Sequence, residues 1–155
     1  MLYCPTFRDN QFNSNGYSLK IGMDFDSLKK KFGEDIVILF RAHYFIADKF
    51  DFKKYKGFVI NVSDYDDIND LYIISDILIT DYSSVFFDFA NLKRPMIFYL
   101  YDFDDYKNNM RDFYFGTAML PGITVNEQTR LEDSLKNIID NLNNGETDLC
   151  VMKKP

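Results

Sequence analysis

Short apolar runs, each bounded by polar or turn-forming residues, recur along this chain and alternate with segments of helical spacing. Leu2–Thr6, Ile36–Phe40, Phe58–Val62, Ile77–Ile79 and Met96–Tyr99 read as strands that are apolar on both faces. That is the pattern of a parallel sheet covered on each side. Asp24 predicts the cap of a helix over Phe25–Phe32 that Gly33 ends, and Asp67 or Asn69 predicts the cap of a short helix over Leu71–Ser75. An apolar helix follows Ser84, and a last helix covers Glu127–Asn143. Phe7–Gly22 is polar and rich in Gly, Asn and Ser, and reads as a loop. The acidic, aromatic stretch from Tyr101 to Leu120 reads as a second loop, after which Pro121 and Gly122 lead into a short extended piece. The expected fold class is α/β: a Rossmann-like parallel sheet with helices on both faces, in a single domain over residues 1–155.

Within that frame Ile74–Tyr101 is the most informative stretch. A strand runs through Thr80-Asp81-Tyr82-Ser83-Ser84 into a helix, and a further strand follows Pro95. Two hydroxyls and unpaired backbone N–H groups then meet at a helix start, which suits a phosphate or diphosphate. The turn carries no glycine, so it is neither a Walker A nor a G-x-G-x-x-G loop. Ligands of parallel sheets sit beyond the carboxyl ends of the strands. Thr6, Arg8, Arg41, His43, Ser63, Asp64, Thr80, Asp81, Ser83 and Ser84 fall at such ends and are expected on one rim.

Composition narrows the ligand. The chain of 155 residues is long enough for a sizeable core, and 46% hydrophobic content excludes disorder. A net charge of −6 argues against nucleic acid as partner, because phosphate backbones need clustered cations. Cys4 and Cys150 lack C-x-x-C spacing and follow no signal peptide, so reduced thiols and a cytoplasmic setting are expected. No run reaches the roughly 18 apolar residues of a membrane span, which leaves peripheral association open. One histidine and two distant cysteines cannot build a metal site. A magnesium ion held by carboxylates and a diphosphate is conceivable.

Each candidate has a plain reading beside the functional one. Ser83 or Ser84 can simply cap the helix. His43, the only histidine, can be a structural hydrogen-bonding residue, or can donate to a phosphate or move a proton. Arg41 can pair a phosphate in bidentate fashion. Asp88 interrupts an apolar helix and either faces water or serves a sugar hydroxyl. Arg8 is a surface charge or a phosphate ligand, and the run Asp102–Asp105 reads as a solvated loop face.

Cys4–Asn10, Leu39–Tyr44, Asn61–Tyr72, Ser75–Asp102, Phe113–Phe115 and Leu120–Gly122 together resemble the CDP-glycerol glycerophosphotransferase family of teichoic-acid biosynthesis. The TDYSS turn with FDFANLKRP behind it is the most specific part. The resemblance implies the C-terminal, donor-binding half of a GT-B transferase whose active site lies between two Rossmann-like halves. The family's N-terminal half supplies a Trp-His-Gly-Thr motif, which this sequence lacks, so a fragment or split protein without the acceptor half is expected. The implied reaction moves glycerol phosphate from CDP-glycerol to a poly(glycerol phosphate) acceptor and releases CMP, with no cofactor required. Ser83 and Ser84 would hold the diphosphate, Arg41 and His43 would neutralise charge as CMP leaves, and Asp88 would bind ribose or glycerol hydroxyls. Thr6 and Arg8, with Thr80 and Asp81, would line the same pocket. The implied setting is cytoplasmic, at the inner face of the membrane.

CDP-ribitol users share these motifs, and a non-catalytic CDP-polyol-binding module would keep them too. A phosphoacceptor receiver domain would use Asp81 at a strand end, but wants an acidic pair after the first strand and a late lysine that this chain does not supply. A related glycosyltransferase or sugar-nucleotide epimerase would carry a Gly-rich turn at Asp81–Ser84.

Overall fold

The structure, a computed structural model, describes residues 1–8, 12–13, 16–17, 21–43, 47–48, 50–109 and 119–145. In chain order the elements are β1 (Leu2–Cys4), β2 (Phe12–Asn13), β3 (Gly16–Tyr17), α1 (Phe25–Phe32), β4 (Ile38–Phe40), β5 (Val59–Asn61) and α2 (Ile68–Ile74). They continue with β6 (Leu78–Thr80), α3 (Val85–Phe89) and its 3-10 extension Ala90–Leu92, β7 (Met96–Tyr99), α4 (Phe103–Asn109), β8 (Ile123–Val125) and α5 (Gln128–Asn143). Six strands form one parallel sheet in the order β5-β4-β1-β6-β7-β8, and β2 pairs with β3 as a separate antiparallel ribbon. The sheet has the strand order of doubly wound dinucleotide-binding folds, and the order reverses between β1 and β6.

Alternation along each strand explains why both faces are covered. Tyr3, Ile79, Ile97 and Tyr99 pack with Phe25, Leu28, Leu131 and Leu135 of α1 and α5. Leu2, Cys4, Leu78, Met96 and Phe98 point the other way, onto Leu71 and Tyr72 of α2 and Phe86 and Phe89 of α3. Successive side chains of a strand face opposite layers, so uninterrupted apolar strands demand helices on both sides.

Several boundaries differ from the sequence reading, for local reasons. β1 ends at Cys4 because Pro5 has no N–H and the Thr6 N–H leaves the ladder for Asp81. β4 starts late because the N–H groups of Asp35 and Ile36 turn back to the Phe32 carbonyl. α2 starts earlier than expected: Asp67 is the cap, and its Oδ1 accepts from the Asn69 N–H at 2.8 Å. The predicted loop after Tyr101 contains α4, whose Phe103 and Tyr106 fall on one face at i, i+3 spacing. Asp9, Asn10, Tyr44, Phe113–Phe115 and Cys150 lie outside the described residues.

α1 and α5 are braced by a polar clasp. The Asp24 N–H donates to Gln128 Oε1 at 3.0 Å, Gln128 Nε2 donates to Glu132 Oε1 at 2.8 Å, and Lys31 pairs with Glu132. Burial alone would raise the Glu132 carboxyl, but hydrogen bonds from Lys31, Gln128 and Ser27 outweigh it and hold the group below its ordinary value. A carboxyl depressed in the folded state stabilises above its unfolded pKa and loses that contribution as pH falls through the folded one. Wild-type stability in urea should therefore fall on acidification below about pH 4. Glu132→Gln should show a flatter acid limb, and an unchanged limb would remove Glu132 from the account. Among the described residues no helix is long and apolar enough to cross a membrane.

Candidate functional site

The carboxyl ends of β1 and β6 meet at the point where the strand order reverses, and one carboxylate joins them. Asp81, directly after β6 and 3% exposed, accepts from the Thr6 N–H at 2.9 and 3.1 Å and from Thr6 Oγ1 at 2.6 Å. It also accepts from the Tyr82 N–H at 2.6 Å and from Arg8 Nη2 at 2.8 Å. Thr80 is fully buried, and its Oγ1 donates to the Cys4 carbonyl at 2.8 Å. The Thr80 hydroxyl and the Asp81 carboxylate are thus engaged by protein groups that hold the two strand ends together. Burial pushes the neighbouring Cys4 thiol up to about 12, which makes it inert.

Arg8 is only 2% exposed. Its Nε and Nη2 donate to Asp102 at 2.8 and 3.2 Å, its Nη2 to Asp81, and its Nη1 to the Thr6 carbonyl at 2.7 Å. The guanidinium also lies over the rings of Tyr82, Tyr106 and Tyr101, 4.9 to 5.6 Å from their centroids. Burial alone would lower its pKa, but Asp81 and Asp102 reverse the shift and keep it charged. Two carboxylates face this one cation, so Arg8 presents little net positive charge to a ligand. The expected solvated face of Asp102–Asp105 needs correction at its first residue. The Asp102 side chain is 17% exposed and is built into this cluster, whereas Asp104 and Asp105 do face solvent.

Tyr82, absent from the residues singled out in the sequence, is held at both ends. Its hydroxyl donates to Asp102 Oδ1 at 2.9 Å, and its ring stacks on Tyr106 with centroids 3.7 Å apart. Burial, then Asp102, pushes its phenol pKa up. The turn continues into Ser83, whose Oγ is a long 3.5 Å from the Val85 N–H, and then into Ser84. Ser84 occupies the cap position of α3 with no side-chain cap bond, and it is exposed. α3 spans five residues, so its dipole is small and the hydroxyls count for more. Asp88, exposed, lies at i+4 from Ser84 and therefore on the same helical face.

Arg41 and His43 stand on the other side of β1, after β4. Arg41 Nη1 donates to the carbonyls of Val62 and Tyr65 at 3.0 and 2.6 Å, tying the ends of β4 and β5 together. The Ala42 N–H donates to Ser63 Oγ at 3.2 Å. His43 is exposed, with its ring centroid 4.9 Å from that of Phe7 after β1. Since β1 lies between β4 and β6, the ends of those two strands are about 10 Å apart by ordinary strand spacing. Thr6, Arg8, Thr80 and Asp81 thus form one hydrogen-bonded floor. Ser83, Ser84 and Asp88 flank it on one side, and Arg41 and His43 on the other. Among the described residues no group of three or more His, Cys, Asp or Glu is placed to hold a metal ion.

A family model described as CDP-glycerol:poly(glycerophosphate) glycerophosphotransferase matches residues 1–153. The chain is 43% identical over 140 residues to the teichoic acid poly(glycerol phosphate) polymerase of Bacillus subtilis strain 168, covering 89% of this chain and 19% of that protein. It is 46% identical over 145 residues to the teichoic acid glycerol-phosphate transferase of Staphylococcus aureus strain NCTC 8325, covering 92% and 37%. A solved structure of a variant of the wall teichoic acid polymerase TagF, soaked with CDPG, superposes with a TM-score of 0.78 at 40% identity, over 97% of this chain and 38% of that one. The chain therefore spans between a fifth and two fifths of the relatives it matches. By the near-complete match to the family model, by identity to these relatives and by a shared doubly wound sheet, the chain belongs to the CDP-glycerol:poly(glycerophosphate) glycerophosphotransferase family.

Proposed function

We propose that this chain is the donor-binding half of a CDP-glycerol glycerophosphotransferase, with the acceptor half lying outside this span. The observation that carries the reading is the arrangement at the switch point. The uncommitted Ser84 hydroxyl follows β6 on one side of β1, and Arg41 and His43 follow β4 on the other; the two strand ends are about 10 Å apart, a gap that a diphosphate with its sugars can bridge. Ser83 and Ser84 would donate to the diphosphate, and Asp88, on the face of Ser84, would accept from ribose or glycerol hydroxyls. Arg41 and His43 would stabilise charge on the leaving phosphate. Thr6, Thr80, Asp81 and Arg8 would form the floor that keeps the rim in register.

In the reaction an acceptor hydroxyl attacks the glycerol-linked phosphorus. A new P–O bond forms, the anhydride P–O bond breaks, and its electron pair leaves with CMP. The acceptor proton goes to a base outside these residues, for which the histidine of the family's Trp-His-Gly-Thr motif is the candidate. No cofactor is required by this reading. A magnesium ion does not fit Asp81 or Asp102, which already accept from Thr6, Arg8 and Tyr82, and no step is assigned to one. A soluble nucleotide donor sets the reaction on the cytoplasmic side, at the inner face of the membrane that carries the growing polymer.

Calorimetric titration with CDP-glycerol, CDP-ribitol, CMP and UDP-glucose tests this. Cytidine-selective binding is expected, weakened about tenfold by Ser84→Ala and by His43→Ala, the scale of one lost charge-assisted hydrogen bond. Equal binding of UDP-glucose, or no nucleotide binding, would overturn the reading. The ratio of CDP-glycerol to CDP-ribitol affinity identifies the polyol.

A further inference from the structure

We infer that Asp102 is a positioning residue for the donor rim: together with Arg8 and Tyr82 it clamps the Asp81–Ser84 turn in the conformation that presents Ser83 and Ser84. The inference rests on the donor-site reading above and adds to it a residue with no place in the transfer chemistry.

On its helix side the turn is weakly held among the described residues. α3 is too short to impose a rigid start, Ser84 makes no cap bond, and the Ser83 contact to the Val85 N–H is long. What fixes the turn is side-chain bonding on its inner side. Asp81 is anchored by Thr6 and Arg8, and the Tyr82 hydroxyl by Asp102 Oδ1. Arg8 links the two acids, with Nη2 reaching both Asp81 and Asp102. Asp102 follows β7, the strand beside β6, so sheet register delivers it to the turn from a separate element. The stacked Tyr82 and Tyr106 rings close the clamp from α4, the helix that starts next to Asp102. Two carboxylates with one guanidinium carry a net negative charge, which suits a support beneath the rim better than a surface in contact with phosphate.

Asp102→Asn keeps the size of the side chain and removes the charge that orders Arg8. CDP-glycerol affinity should fall about tenfold. The Ser84→Ala penalty should largely vanish in the Asp102→Asn background, because a misplaced Ser84 has no bond left to lose. Asp102→Glu should recover part of the affinity, and Tyr82→Phe, which removes only one hydroxyl, should reproduce part of the loss. Equal affinity for Asp102→Asn and wild type would overturn the inference, as would a Ser84→Ala penalty of the same size in both backgrounds. Amide hydrogen exchange, which needs no nucleotide, gives the second arm. Exchange of the Tyr82 N–H, which donates to Asp81 Oδ1, should speed up in Asp102→Asn while that of Ile79 and Ile97 stays as in wild type. Unchanged exchange at the turn sinks the inference, whereas failure of the wild-type chain to bind any cytidine nucleotide sinks the donor-site reading instead.

Discussion

Arg8→Ala should cost this chain about 3–5 kcal/mol of unfolding free energy, measured as a shift in the urea midpoint. The size follows from burial. The side chains of Arg8 and Asp81 are each 3% exposed and 2.8 Å apart, so deleting the cation strands two carboxylates in a site built around it. Exposed pairs behave differently. Lys136 and Asp140 also lie 2.8 Å apart, but their side chains are 67% and 54% exposed, and water screens such pairs so that they contribute little. A loss below about 1 kcal/mol for Arg8→Ala would mean that water reaches the cluster and that the pair behaves as a surface pair. Arg8→Lys is not expected to restore wild-type stability, because one ammonium cannot reach Asp81, Asp102 and the Thr6 carbonyl together.

The second large effect belongs to Phe40→Ala, at about 3–5 kcal/mol in the same assay. Phe40 closes β4, is fully buried, and has its ring within 5.1 to 6.3 Å of the rings of Tyr3, Phe25, Phe50 and Phe52. Its removal opens a cavity that close-packed neighbours fill only in part. Arg41 is the next residue, so under the proposed donor-site reading the loss should extend to CDP-glycerol affinity. Phe40→Leu should recover most of the stability. Equal destabilisation by leucine and alanine would show that ring geometry, more than volume, holds the cluster.

The two predictions differ in how visible their residues are in the sequence. Phe40 belongs to an apolar run before polar residues, and such runs also locate β6 and β7 to within a residue, because turn-forming residues punctuate them. The TDYSS turn is legible for the same reason: a strand signal stops abruptly and a helix signal begins. The Arg8 cluster is not legible. Its partners Asp81 and Asp102 lie 73 and 94 positions away, and only the sheet order brings three strand ends together. Asp102 also looks like its neighbours Asp104 and Asp105, so the acidic run conceals one half-buried, paired acid among exposed ones. The same run hid α4, where acids at the first turn suit a helix as well as a loop. Ser84 is a different case. Its residue type predicts a cap, and the absence of a cap bond, which leaves the hydroxyl available, is a property of the turn's backbone.

The position of β1 in the sheet also governs how this unit folds. Leu2 pairs with Leu39 on one side and Leu78 on the other, so the central strand is the first in chain order and both its neighbours come much later. Each pairing closes a long loop before any hydrogen bond rewards it, which puts this topology among the slow folders. During synthesis Leu2–Cys4 emerges with both edges unpaired, and stays so on one side until Thr80 has been made. Until β6 has emerged the strand keeps an unsatisfied edge, so the yield of this unit depends on whatever shields it in the interval.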